Sequence, residues 1–230
     1  MKICAFSDTH GKYNFKIEPC DIVVICGDIL PTSIQKNDDK SEEWIKKFFI
    51  PWCEELPCEK VIFIGGNHDF VLQNRPEKIH KIIEESDKVI FLQDEEYNYV
   101  KETDGDYREI RIYGTPWCHQ FYNWAFMTDD ISLAKIYNKI PYKTDILLTH
   151  DCPYGTSDVL LQDVPWRNGE HIGCHPLGDA VDEKKPTLHF CGHLHSCTHE
   201  PQERGDTIVT NVSIVDEHYN LVYNPYYTEI

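Results

Sequence analysis

Five short blocks of this 230-residue chain carry side chains suited to holding metal ions. Asp8 and His10 follow an apolar run at 2–6, and Gly27-Asp28 follows another at 21–26. Gly66-Asn67-His68-Asp69 follows 60–64, His150-Asp151 follows 145–149, and Gly192-His193-Leu194-His195 follows 187–191. Carboxylate oxygens and imidazole nitrogens suit Mn, Fe or Zn ions. Asp28 has two oxygens and so can bridge a pair of them. Two such ions, about 3.5–4 Å apart, clamp a phosphoryl oxygen and acidify a bridging water. Each block alone is common: a lone Gly-Asp is usually a turn, and an Asp-x-His is a frequent accident. The five together, each behind a buried run, point to one site. Five of the 12 histidines (His10, His68, His150, His193, His195) lie in these blocks. The others (His80, His119, His171, His175, His189, His199, His218) are read as surface or structural residues.

The elements that must position these blocks read as follows. The runs at 2–6, 21–26, 60–64, 89–92, 145–149 and 187–191 are apolar and strand-like. Segments 97–100 and 109–113 alternate around Thr103-Asp104-Gly105-Asp106, which predicts a hairpin. Residues 41–56 predict a helix capped by Ser41, with an apolar stripe of Trp44, Ile45, Phe48 and Phe49. Further helices are predicted over 76–85, 132–138 and 173–181, and two strands within 207–223. Alternating strands and helices that end in hairpins suggest an α/β layered sandwich with mixed sheets. In such sheets ligands gather at the carboxyl ends of strands. No linker, repeat or composition shift divides the chain, so a single domain over 1–230 is expected.

Lys plus Arg number 22 and Asp plus Glu 39, a formal charge of −17. That balance argues against nucleic-acid polymers, whose affinity rests on neutralising phosphates, and against anionic membranes. No apolar stretch approaches the roughly 20 residues of a membrane span. The first ten residues do not read as a signal peptide, so a cytoplasmic protein is expected. The ten cysteines are scattered without a C-x-x-C pair and are read as reduced thiols. No pattern specifies an oligomeric state.

The ordered set Asp8-x-His10, Gly27-Asp28, Gly66-Asn67-His68-Asp69, His150 and Gly192-His193-x-His195 resembles the calcineurin-like metallophosphoesterases over residues 8–195. The resemblance implies a four-layer αββα sandwich of two mixed β-sheets flanked by helices. It implies two divalent or mixed-valence ions (Mn, Fe or Zn), the first held by Asp8, His10, Asp28 and His195. Asp28, Asn67, His150 and His193 would hold the second. His68 would be no ligand but would sit near the leaving group, oriented by Asp69. The segments 111–116 (RIYGTP) and 147–153 (LLTHDCP) resemble the small metallophosphoesterase-domain proteins related to the fetal brain protein family, a group associated with phosphodiesters, cyclic nucleotides included.

Departures narrow the choice. Protein phosphatases of this superfamily continue the Gly-Asp block with Asp-Arg-Gly, whereas here Ile29-Leu30-Pro31-Thr32 follows. The expected reaction is therefore metal-dependent hydrolysis of a small phosphodiester by a bridging hydroxide. The alternatives are a non-catalytic scaffold and a nucleoside polyphosphate hydrolase. A scaffold tends to lose ligands, and here the set is intact. A polyphosphate site calls for clustered cations, yet Arg75, Arg108, Arg111, Arg167 and Arg204 are widely spaced. Segment 116–126 holds Trp117, Phe121, Tyr122, Trp124 and Phe126, either a rim for an aromatic substrate or the anchor of a long loop. Trp117 and Arg167 are the substrate contacts expected, Arg167 lying in the irregular stretch 156–171. Residues 37–40 read as a solvated face.

Overall fold

Alternation along the strands builds the core on both faces of two sheets. In the computed structural model, which describes residues 1–103, 105–161 and 167–230, β1 (Lys2–Phe6), β2 (Ile22–Ile25), β3 (Lys60–Phe63) and β4 (Val89–Phe91) run parallel in that order. The second sheet contains β5 (Glu95–Thr103), β6 (Asp106–Thr115), β9 (Ile146–Thr149), β10 (Leu188–Cys191), β11 (Gln202–Arg204) and β12 (Thr207–Asn211). Its order is β11-β12-β10-β9-β6-β5, with the inner four parallel and both edges antiparallel. Two-residue strands β7 (Cys118–His119) and β8 (Met127–Thr128) form a small separate ribbon.

Ile3, Ala5, Ile22, Val24 and Ile62 point one way and pack between the sheets against Ile110, Ile112, Ile146, Leu148 and Phe190. Their neighbours Cys4, Phe6, Val23, Ile25, Val61 and Phe63 point the other way, onto helical residues Ile45, Phe49, Cys53, Ile79 and Ile83. Outside the second sheet, Tyr113 and Leu147 meet Leu133 and Tyr137 of α5 (Asp130–Tyr137) and Leu177 and Val181 of α6 (His175–Lys184). The layers are therefore helix, sheet, sheet, helix, the αββα arrangement expected. Strands buried on both faces need apolar residues at every position, and each fully buried Ile, Val or Phe contributes roughly 1.5–3 kcal/mol. No helix among the described residues is long and apolar enough to cross a membrane.

Four local expectations are corrected. The helix expected from Ser41 starts earlier, as α1 (Asp38–Trp44), because the Asn37 side chain accepts the Lys40 N–H at 3.0 Å. Ser41 instead donates its hydroxyl to Ile34 O. Residues 37–40 are thus more than a solvated face: Asp38 and Asp39 meet Asn74 and Arg75, at the end of α3 (Phe70–Asn74) and the start of α4 (Pro76–Ile83). The same rod passes through a π-helical stretch, Ile45–Phe49, into α2 (Ile50–Glu55). There Ile50 N–H reaches back five residues to Ile45 O, next to Pro51, which has no N–H to donate.

Only one of the two strands expected within 207–223 forms. Beyond Asn211 the chain turns at 216–220, where the Asp216 side chain accepts the N–H groups of His218 and Asn220. The last strand is instead β13 (Tyr226–Glu229), antiparallel on the outer edge of β1. The hairpin strands are longer than expected. Asp104 of its turn, and residues 162–166 of the irregular stretch, lie outside the described residues.

Candidate metal centre

The loops leaving β1, β2, β3, β9 and β10 meet at one end of the two sheets. Asp8 N–H donates to Gly27 O at 3.0 Å and His10 N–H to Asp28 O at 2.9 Å, which zips the first two loops together. His68 N–H donates to Asp28 Oδ1 at 2.7 Å, and His193 N–H to Asp8 Oδ2 at 3.0 Å. Four of the expected ligands sit in the left-handed backbone region: Asp8 (φ 60°), His10 (φ 45°), Asp28 (φ 53°) and His193 (φ 67°). Each such residue costs of order 1 kcal/mol and persists only where its surroundings over-determine it. Gly66 and Gly192 allow the close approach, since a Cβ there would stand 2.3 Å from Asp28 Oδ1 and 2.5 Å from Asp8 Oδ2 respectively.

The side chains converge in turn. Asp28 Oδ2 lies 3.7 Å from His10 Nε2, 3.9 Å from His68 Nε2 and 3.5 Å from His150 Nε2. His195 Nε2 lies 3.4 Å from Asp8 Oδ1, and Asn67 Oδ1 lies 3.0 Å from His150 Nε2. Donor atoms about 2.1 Å from a shared ion stand roughly 3–3.5 Å apart, and the Asp28–His150, Asp8–His195 and Asn67–His150 separations fall in that range. Three trios have ligand atoms within 4.8 Å of one another: Asp8–His10–His195, His10–Asp28–His68 and Asp8–Asp28–His150. His193 stands at the far rim, its ring 5.1 Å from that of His150.

The donor set fits metal ions on an observation of its own. Both ring nitrogens of His10 are buried without a hydrogen-bond partner, a costly state unless something else takes the lone pair. His150 Nδ1 lies 2.7 Å from Cys26 O and donates to it, which leaves Nε2 free to ligate. The electrostatics agree for most of the set. Burial would raise the Asp8 and Asp28 carboxyls, but His195 and His150 respectively hold them below the usual range. Burial pushes His10 and His193 down to about 4, so their imidazoles are neutral. Ionised carboxylate and neutral imidazole are the forms that bind metal. His150 and His195 differ: burial would lower both, yet Asp28 lifts His150 to about 10 and Asp8 raises His195, so metal and proton compete for those rings.

Several expectations fall differently. Asp69 does not orient the His68 ring. Its two oxygens accept the N–H groups of Gly66 (2.9 Å), Leu30 (3.0 Å) and Ile29 (3.2 Å), because a fully buried carboxylate takes the backbone donors around it. Burial, with Asp28 nearby, pushes its carboxyl up to about 7. The partner of the His68 ring is Gln35. Trp117 is an anchor and not a rim residue, since its indole N–H donates to Asp94 and its ring packs on Phe126 in the core. The aromatic rings on the centre are instead Trp124, 4.6 Å from His68, and Tyr219, 4.5 Å from His10. Beyond His193 opens a cleft of about 710 Å³ lined by His119, Phe121, Tyr122, Tyr154 and Arg167 among others. Arg167 does face it, although its guanidinium pairs with Glu170 at 2.7 Å. His119, read as surface or structural, is the latter: Asp151 accepts from its Nδ1 at 2.7 Å, and its ring stands near that of His193. The pairs His119–Asp151 and Gln35–His68 bridge 32 and 33 residues, with no motif or periodicity linking them.

With this geometry in hand, comparison with known proteins is direct. Residues 1–197 match the calcineurin-like phosphoesterase family, and the chain belongs to it. It is similar to human metallophosphoesterase domain-containing protein 1, at 28% identity over 95% of this chain and 68% of that protein. A UPF0046 protein of Caenorhabditis elegans is 28% identical over 98% of this chain and 79% of its own length. The crystal structure of TT1561 of Thermus thermophilus shares the fold, with a TM-score of 0.57 at 12% identity, over 91% of this chain and 88% of that one. Family and clustered donors together make this a metal-dependent phosphoesterase.

Proposed function

We propose that the protein hydrolyses a small phosphodiester at a dinuclear centre. The observation that carries this reading is the convergence of Asp8, His10, Asp28, His150 and His195, with Asn67 and His193 beside His150 and both ring nitrogens of His10 left unpaired. Asp8, His10, Asp28 and His195 would hold one ion, and Asp28, Asn67, His150 and His193 the other. When bound, such ions supply an acidified water and draw charge from the phosphoryl oxygens, in sites of this type the largest stabilising contribution. Asp28 sets the distance between the two halves, and the N–H of His68 fixes its second oxygen. His68 would stand beside the leaving oxygen.

The diester preference is supported by charge and shape. A monoester dianion calls for fixed cations, while the arginine lining the cleft is already paired with Glu170. A diester carries one negative charge and a second organic group, and the cleft beyond His193 offers Phe121, Tyr122 and Tyr154 to that group. Mn, Fe and Zn all suit the oxygen and nitrogen donors. The test is hydrolysis of bis(p-nitrophenyl) phosphate against p-nitrophenyl phosphate after chelator stripping and reloading with each metal. The expected result is diester preference that disappears in Asp28→Ala. Preference for the monoester, or diester turnover that survives Asp28→Ala, overturns the reading.

A further inference from the structure

Gln35 lies seven residues beyond Asp28 in an irregular turn, where Ile34 N–H and its own N–H both donate to Pro31 O. It is buried, at 9% exposure, and its Oε1 stands 2.5 Å from His68 Nδ1. The loop that carries it is pinned to the loop of His68 by Asp69, which accepts N–H groups from both. The His68 ring is also fixed by its neighbours. Trp124 lies against it at 4.6 Å and 35°, and the edge of His10 meets it at 4.9 Å and 89°. Lys36 in turn lies over the Trp124 ring, 4.7 Å from its centroid.

An amide oxygen only accepts hydrogen bonds, so it selects the imidazole form with a proton on Nδ1. Nε2 is then the atom turned toward Asp28 and the centre. We propose that Gln35 is a positioning residue that keeps His68 in this orientation, with Nε2 placed to hand a proton to the leaving oxygen of a bound phosphate ester. This rests on the phosphoesterase reading above. The imidazolium form of the ring keeps Nδ1–H on Gln35 and carries a second proton on Nε2; in that form, as the bond from phosphorus to the leaving oxygen breaks, its electron pair stays on that oxygen, which takes the Nε2 proton. The ring is left neutral, with Nδ1–H still donating to Gln35. Water supplies the oxygen that joins phosphorus, and a proton from that water restores Nε2. Gln35 thus serves the ring in both of its forms, and the only proton that moves is the one facing the substrate.

The variants are Gln35→Met, close in volume but without the acceptor, and Gln35→Glu, which keeps an acceptor. The substrates are bis(p-nitrophenyl) phosphate, whose leaving anion is stable, and diphenyl phosphate, whose more basic phenolate needs the proton. Proton donation contributes typically 10²–10⁴-fold, so losing its alignment in Gln35→Met is expected to lower kcat on diphenyl phosphate about tenfold and on the nitrophenyl ester less than about threefold, at similar KM. Gln35→Glu is expected to recover most of the loss. Nitrogen NMR of the zinc-loaded protein is the readout independent of turnover. It should show His68 with Nδ1 protonated in the native protein and a mixture of tautomers in Gln35→Met. Equal losses on both esters, or a native His68 protonated on Nε2 alone, overturn the proposal. Native protein that hydrolyses neither ester overturns the phosphoesterase reading, and the proton-delivery role with it. The NMR spectrum then still decides whether Gln35 sets the ring.

Discussion

His68 and Asn67 are adjacent in sequence yet face different tasks, and this is where the site can be divided experimentally. Asn67 Oδ1 points at His150 Nε2, among the candidate ligands. His68 Nε2 stands 3.9 Å from Asp28 Oδ2, while Gln35 and Trp124 hold its ring. Asn67→Ala should lose close to one metal equivalent per chain. His68→Ala should retain both equivalents and lose about 10²-fold or more in kcat on diphenyl phosphate, whose leaving oxygen needs the proton, the scale of general-acid catalysis. Elemental analysis beside steady-state rates separates the two. Loss of metal in His68→Ala would make it a ligand, an outcome that the spacing of the His10–Asp28–His68 trio makes worth testing. At this scale the sequence was informative where chemistry is packed into contiguous strings. Asp8-x-His10 brings two ligand side chains along together, and Gly192-His193-x-His195 brings a glycine with two more. It was silent on Gln35 and on the pairing of His119 with Asp151, since nothing local marks a side chain that meets its partner 30 or more residues away.

Among the elements, β10 carries its own test. Leu188 and Phe190 face the sheet interface, and His189 between them points to the opposite side, fully buried. Its Nε2 meets Thr149 Oγ1 at 2.7 Å, while Nδ1 has no partner. Burial, with Arg204 adding to it, drives its pKa down to about 3, so the folded protein keeps this ring neutral. An unfolded histidine titrates near 6.5, so between about pH 6.5 and pH 3 the unfolded chain binds a proton that the folded one refuses. Stability therefore falls as pH drops through that window. His189→Leu removes this dependence and should flatten the slope by up to about 1.4 kcal/mol per pH unit. Urea unfolding of both proteins at pH 6 and pH 4.5 checks it, and parallel pH dependences would refute it. The buried strands were legible because both of their faces are apolar. The start of α1 and the site of β13 were not, because Asn37 competes with Ser41 as cap and because β13 gains its place only from the open edge of β1.

Across the whole molecule, the two sheets press together along one interface while loops from both supply the site. Asp8 and Asp28 leave the first sheet, and His150 with His193 and His195 leave the second. Metal bound there would tie the sheets across their common end. A ligand that binds only the folded state stabilises it by about 2.7 kcal/mol at a hundredfold excess over Kd. Chelation should therefore lower the melting temperature, and Mn or Zn should restore it in the native protein but not in Asp28→Ala. A melting temperature indifferent to chelator would contradict a centre that spans the sheets.

By itself, the sequence determined the buried strands and the identity of the side chains at their ends, because burial dictates composition and a strand's end dictates where the next residues emerge. It also determined the glycines that let backbone approach carboxylate. Which side chains serve others emerged with the packing of the loops: Asp69 as a clasp between loops, Gln35 on His68, Asp151 on His119, and Trp117 in the core while Trp124 faces the centre. Those choices depend on the paths of irregular loops. Such paths have no period to read, and they are set by the buried donors and acceptors that remain to be satisfied once the sheets have packed.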